Sequence, residues 1–158
     1  MRPTVYLEST IPSYLTARPS RDLVTAARQE ITREWWENRR HNYDCVLSQV
    51  VLDECTRGHP DAADRRLVSL EGLPVLAATE EMLAFAEGLI EAGLIPIEAA
   101  DDAAHIAIAT LSGIKYLLTW NFRHIANADV KEEIRAHCLR AGYACPVICT
   151  PEELMEKR

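Results

Sequence analysis

The chain has 158 residues, 48% of them hydrophobic and 26% charged, with a formal net charge of −7. That length suits one domain, read here as spanning residues 1–158, and the acidity excludes the broad basic surface on which nonspecific nucleic-acid binding rests, while leaving room for a local basic patch or an acidic site that meets phosphates through a metal ion. No apolar run approaches a membrane span, and MRPTVYLEST at the start lacks the apolar stretch of a signal peptide, so the expected place is the cytoplasm, away from membranes.

In chain order, TVYL at 4–7 is a short β-prone run that ends at Glu8. Ser9 or Thr10 then suits a helix cap and Pro12 a first turn, predicting a short helix broken by Arg18-Pro19-Ser20. A long helix is expected over 21–40, with Leu23, Ala26, Ala27, Ile31 and Trp35 at three- and four-residue spacing. Residues 43–48 read as a second strand and 49–56 as a helix carrying Glu54. A break at Gly58-His59-Pro60 precedes a helix over 61–70, and LPVLA at 73–77 reads as a third strand. Thr79 caps a helix that runs to about residue 91. Asp101 and Asp102 open a small-residue helix that Gly113 stops, followed by an apolar strand at 115–119. A helix over 128–141, a strand at 146–149 and a last helical turn from Thr150 complete the series. Strands alternate with helices throughout, which predicts an α/β domain with a mainly parallel sheet. The five cysteines form no CxxC pair and read as buried reduced thiols.

Four polar residues fall near strand ends in this reading. Glu8 directly follows the first strand, Glu54 lies on the helix after the second, Asp102 begins the helix before the fourth, and Asn121 lies just past that strand. Strand ends at the centre of an open parallel sheet lie close together, so the four side chains could converge. Converging carboxylates repel one another unless a cation sits between them, and an all-oxygen set suits Mg²⁺ or Mn²⁺ better than zinc. Each acid taken singly also fits a plain role at a helix N-terminus. Of the Asp pair, Asp102 is the candidate ligand. Asp101 shares a helix face with His105, and is read as solvent-facing or as pairing with that histidine behind the site. His105 is read as a packed or surface side chain, or else as a general base.

VYLEST, LSQVVLDE, DAAHIAIAT and YLLTWN, in that order, resemble the PIN-domain family, in particular its VapC-type toxin branch from toxin–antitoxin pairs. The likeness spans nearly the whole chain. It implies a three-layer α/β/α sandwich around a five-stranded parallel sheet, and a metal-dependent endoribonuclease whose acids hold Mg²⁺ or Mn²⁺. The family's acids fall on Glu8, Glu54 and Asp102 as metal ligands, and its fourth catalytic position falls on Asn121. The small hydroxyl residues beside the first and fourth positions fall on Ser9 and Thr119, which would orient a ligand or a water. Two departures stand out. Glu8 takes the place of the usual Asp, and Asn121 is neutral, although its amide oxygen could still ligate a metal or a bound water.

The resemblance also implies an RNA substrate, a homodimer and a small antitoxin partner, for which Trp35, Trp36, Tyr14 and Leu15 could supply an apolar groove. Arg18, Arg21, Arg57 and Arg123 lie nearest to strand ends and are candidate phosphate contacts. The alternative is a catalytically impaired PIN-like module that binds RNA or protein. A receiver-type regulator shares the doubly wound architecture, but no clear phosphoacceptor Asp ends a central strand.

Overall fold

The structure is a computed structural model and describes residues 1–156; the last two residues of the expected domain, 157 and 158, lie outside the described part. Its frame is a five-stranded sheet in the order β3-β2-β1-β4-β5. The strands are β1 (Thr4–Leu7), β2 (Asp44–Ser48), β3 (Val75–Leu76), β4 (Tyr116–Leu118) and β5 (Val147–Cys149). Every neighbouring pair is parallel, with Val5 opposite both Cys45 and Tyr116, and Leu118 opposite Cys149. Seven helices among the described residues flank the sheet: α1 (Thr10–Thr16), α2 (Leu23–Asn38), α3 (Gln49–Cys55), α4 (Pro60–Ser69), α5 (Glu80–Glu91), α6 (Ala100–Leu111) and α7 (Ala128–Arg140). The architecture is the expected α/β/α sandwich, and the sheet is parallel throughout. Among the described residues no helix is long and apolar enough to cross a membrane.

Strand order explains where side chains can gather. β1 lies in the middle, and the chain leaves it toward β2 on one side and reaches β4 on the other. The carboxyl ends of β1 and β4 therefore form a switch point, where an open α/β sheet leaves a crevice. The strands are short but deeply buried: Val5, Tyr6, Leu7, Leu47, Leu117 and Leu118 are wholly enclosed. α6 packs against α5 and presents Ala103, Ala107 and Ala109, all fully buried, so its backbone lies close to its neighbours. Thr79 caps α5 as expected, accepting from the Met82 N–H at 3.2 Å. Gly113 adopts φ 69° after α6, the left-handed stop that lacks a Cβ penalty. Four cysteines are buried thiols and Cys145 is half-buried.

α2 departs from its predicted face. It starts later, capped by Asp22, whose carboxylate accepts from Thr25 N–H at 2.9 Å. Leu23 is exposed at 86% and Ala27 also faces solvent, whereas the buried positions are Gln29, Thr32 and Trp35. Two of these three are polar because they serve polar tasks. Gln29 accepts from Ser20 N–H at 3.0 Å and donates to the Arg18 carbonyl at 3.1 Å, tying down the loop after α1. Thr32 Oγ1 accepts from Trp120 Nε1 at 2.8 Å and donates to the Arg28 carbonyl at 2.6 Å. Of the residues expected to line an apolar groove, Trp35 is wholly enclosed, while Tyr14, Leu15 and Trp36 are half-buried. Trp35 is fully buried against Tyr43, Trp36 lies under the Arg40 guanidinium at 4.4 Å, and Tyr14 packs edge-on to Trp120. Trp35 fills the interior, and the exposed apolar residues of α2 include Leu23, Val24 and Ala27.

Trp120, between Thr119 and Asn121, is thus anchored on α2. Replacing Thr32 by Val leaves its buried indole N–H without an acceptor. Urea unfolding should then show a loss of about 1–3 kcal/mol, with no loss if the indole finds another partner.

Candidate metal centre

Glu8 is the pivot of the crevice. It directly follows β1, is 1% exposed, and its backbone N–H continues the ladder to the Leu118 carbonyl at 3.1 Å. Its carboxylate accepts four hydrogen bonds. Thr10 N–H (3.2 Å), Thr10 Oγ1 (2.5 Å) and Thr119 Oγ1 (2.6 Å) reach Oε1, and Ser9 Oγ (2.9 Å) reaches Oε2. Thr10 also accepts from Trp120 N–H at 2.8 Å, and Thr119 from Asn121 N–H at 2.9 Å, so the donors are themselves fixed. Ser9 does not cap α1 with its side chain, as one sequence reading allowed. It stands instead between Glu8 and Glu54 Oε1 (3.1 Å), sharing its one hydroxyl hydrogen between the two acids.

Glu54 sits on the last turn of α3, and its Oε1 also takes the Nε2 hydrogen of His105. Burial works to raise its pKa, but the hydrogen bond and charge of His105, with Ser9 and Arg57, outweigh it, and the carboxyl is held below the usual glutamate range. Asp102, in the first turn of α6, goes the other way. Burial and the nearby charge of Glu8 raise it, against a smaller opposing hydrogen bond from the Asn121 side chain and the charge of His105. His105 is fully enclosed. Burial opposes its charge, yet the bond to Glu54 and the charges of Glu8, Glu54 and Asp102 together hold its pKa above the ordinary value. Behind it, Nδ1 lies 2.7 Å from Tyr6 Oη, which lies 2.6 Å from Ser48 Oγ.

The side chains whose ligand atoms come within 4.8 Å of one another are Glu8, Asp102 and His105. Glu54, placed among the ligands by sequence, stands just outside that group, joined to it through Ser9 and His105. Asp101 does not pair with His105. It turns outward to Arg57, at 3.1 Å, because the wholly buried imidazole faces Tyr6 and Glu54 instead. Asn121 also differs from expectation, since its amide oxygen accepts from His124 N–H at 3.0 Å and closes the turn after β4. What it offers the site is its amide N–H, toward Asp102.

Beside Glu54 opens a cleft of about 290 Å³ lined by Ser9, Thr10, Ser13, Glu54, Arg57 and Arg66, among others. Arg66 was not singled out from sequence, and its guanidinium is occupied by the carbonyls of Cys55 and Arg57. Arg18 lines a separate hollow with His59 and Arg65, while Arg21 and Arg123 are exposed. Of the four candidate phosphate contacts, only Arg57 lines the cleft at the acids. Thr10, Tyr6 and Ser48 were also missed as site residues. Their signals were present in that Thr10 follows Glu8 by two, and Ser48 ends a strand directly before a helix.

The His105–Glu54 pair carries a pH signature in the metal-free protein. His105 is raised, so its contribution to stability is complete below 6.5 and fades as pH climbs through its higher folded value. Glu54 is lowered, so its contribution is complete above 4.5 and fades as pH falls through its lower folded value. Denaturant unfolding in chelator should show stability declining on both sides of that window. His105→Gln should flatten the alkaline limb, and an unchanged limb would show that the pair does not titrate with folding.

No family model matches the sequence, and no curated protein matches it. Solved structures do match in fold. VapBC2 from Rickettsia felis, bound to a DNA fragment from its promoter, aligns over 93% of this chain and 98% of its own, with 13% identity and a TM-score of 0.52. A toxin–antitoxin complex from Klebsiella pneumoniae aligns over 93% and 97%, with 13% identity and a TM-score of 0.58. VapC20 from Mycobacterium tuberculosis, a toxin that cleaves the sarcin–ricin loop, aligns over 78% and 95%, with 18% identity and a TM-score of 0.58. The chain has the fold of the VapC-type PIN-domain toxins.

Proposed function

We propose that the protein is a Mg²⁺- or Mn²⁺-dependent endoribonuclease and the toxin of a toxin–antitoxin pair. The observation that supports this reading is the approach of Glu8 and Asp102, with Glu54 joined to them through Ser9 and His105, at the carboxyl ends of the central strands, in a fold shared with VapC20. The donor set fits a hard divalent cation. Asp102 is held above its usual range by burial and by Glu8, which is the electrostatic signature of a site short of positive charge. Glu8 and Asp102 would hold the ion, with Glu54 at the edge facing the cleft. A bound ion supplies an activated water and stabilises charge developing at phosphorus.

The chain's own residues do the rest. Thr10, Thr119 and Ser9 fix the direction of the Glu8 carboxylate through their hydrogen bonds. The Asn121 side chain lies beside Asp102 and tempers its raised pKa. Arg57, across the cleft from Ser9 and Thr10, takes an RNA phosphate and lets Asp101 go, since an exposed ion pair of that kind is worth little. The overall acidity matches a short or structured RNA segment better than a long duplex. By analogy with the toxin–antitoxin structures, a small antitoxin silences the protein; its one-domain, cytoplasmic and dimeric state is proposed from the sequence and its resemblance alone.

One observation favours the second reading, a PIN-like module that binds RNA or protein without cutting. Four donors already contact Glu8, three of them crowded on Oε1, and Asn121 has committed its amide oxygen. Calorimetric titration with Mn²⁺ separates the two, because heat of binding that disappears in Asp102→Asn supports the nuclease and silence at millimolar metal supports the module.

Asp102→Asn should reduce RNA cleavage in Mg²⁺ or Mn²⁺ on the order of a hundredfold or more. Equal cleavage by variant and wild type would remove Asp102 from the machinery. The same substitution relieves repulsion with Glu8, and in chelator it should stabilise the fold by about 0.5–2 kcal/mol. Loss of activity from a more stable protein cannot be blamed on unfolding.

A further inference from the structure

His105 lies one turn beyond Asp102 on α6, and its ring is wholly enclosed. Both nitrogens are engaged, Nδ1 by Tyr6 Oη at 2.7 Å and Nε2 by Glu54 Oε1. The Tyr6 ring meets the imidazole edge-on, with centroids 5.7 Å apart. Tyr6 Oη in turn contacts Ser48 Oγ at 2.6 Å, and Ser48 caps α3, accepting from Val51 N–H. The chain of contacts is closed on itself. Ser48 fixes the start of α3, Glu54 stands on its last turn, and His105 and Tyr6 join the two from behind.

Proximity alone places the imidazole in the potential metal group with Glu8 and Asp102. Its bonding says otherwise. A nitrogen that gives its hydrogen to a carboxylate has no lone pair to offer a cation, and the other nitrogen faces away into the core. The carboxylate it holds is different. Both recorded partners of Glu54, Ser9 and His105, bind Oε1, and Oε2 has no hydrogen-bond partner among the described residues.

We propose that His105 is a positioning residue, braced by Tyr6 and Ser48, which fixes Oε1 of Glu54 so that Oε2 is presented to the cation held by Glu8 and Asp102. The inference rests on the metal-dependent reading above and deepens it. It assigns the buried polar chain to the orientation of one ligand and removes His105 from the ligand set. Groups behind the ligands are a common means of setting their direction and basicity.

Two substitutions divide the ring's contacts. His105→Asn keeps a polar group toward Tyr6 but falls short of Glu54; His105→Gln reaches Glu54. Mn²⁺ affinity by calorimetry should fall about 10–100-fold in His105→Asn and be largely restored in His105→Gln. Tyr6→Phe, which keeps the core filled and removes only the brace, should weaken Mn²⁺ binding while circular dichroism stays native. Metal-free crystals of His105→Asn should show the Glu54 carboxylate moved from its place. Wild-type affinity in folded His105→Asn, or Glu54 unmoved, overturns the proposal. Equal losses in the Asn and Gln variants also overturn it, because that is the behaviour of a direct ligand. If the wild type itself binds no Mn²⁺, the metal-dependent reading falls, and the position of Glu54 in the metal-free crystals still decides whether His105 sets it.

Discussion

Burying a carboxylate is costly unless hydrogen bonds replace the water it loses, and the centre of this fold is built around one such replacement. Glu8 follows the middle strand and is almost wholly enclosed. Its donors come from the same connection (Ser9, Thr10) and from the exit of the neighbouring strand (Thr119), a residue 111 positions away. A single side chain thus ties the exit of β1 to the exit of β4. The hydroxyls that satisfy it are fixed by Trp120 and Asn121, and Trp120 is fixed by α2. Removing the acid would leave hydroxyls and an amide without their acceptor in a buried place, so fold and site share this part of the structure.

A second chain of polar contacts runs deeper, from Ser48 through Tyr6 and His105 to Glu54. Ser9 joins the two. In a low-dielectric interior such linked bonds are strong when every member is satisfied and costly when one is not. The consequence is rigidity where positive charge is wanted. Glu8, Glu54 and the imidazole are held by linked hydrogen bonds, so an ion binding there would have little reorganisation to drive. Asp102 is the exception. Burial and the charge of Glu8 raise its pKa, and His105 offsets them less there than it does at Glu54.

The sequence was most legible where a physical signal is local. The helix over 80–91 was readable from Thr79 and its acidic first turn, and the strand at 4–7 from its β-branched and aromatic residues. That Glu8, Glu54 and Asp102 would lie near one another was legible at one remove, because the order of acids along the chain maps onto strand ends once a parallel sheet is assumed, but not that His105 rather than Glu54 would stand with the other two. What stayed hidden depends on partners far away in sequence. Periodicity put Leu23 and Ala27 on the inner face of α2, whereas the inner face is set by what Trp120 and the loop after α1 need, and so it holds Thr32 and Gln29. A helical repeat also put Asp101 beside His105. The repeat is correct as geometry, but Tyr6 and Glu54 had a stronger claim on the imidazole and Arg57 on the aspartate.

Glu8 shows how far a single methylene can matter. A contact from a side-chain carboxylate to the N–H two residues on is the local bond that Asp makes readily in turns. Glu8 makes that contact to Thr10 and uses the same oxygen to accept from Thr119 on the neighbouring strand's exit. Oε1 is thereby crowded with three donors, while Oε2 has only Ser9. A cation would therefore meet Glu8 most readily at Oε2, and Ser9, which bridges to Glu54 there, is the donor that must turn aside. Its hydroxyl can rotate to donate to Glu54 alone without any backbone movement. The longer acid thus leaves one oxygen tied to the fold and one available to an ion, a division of labour that its four-bond cage at first conceals.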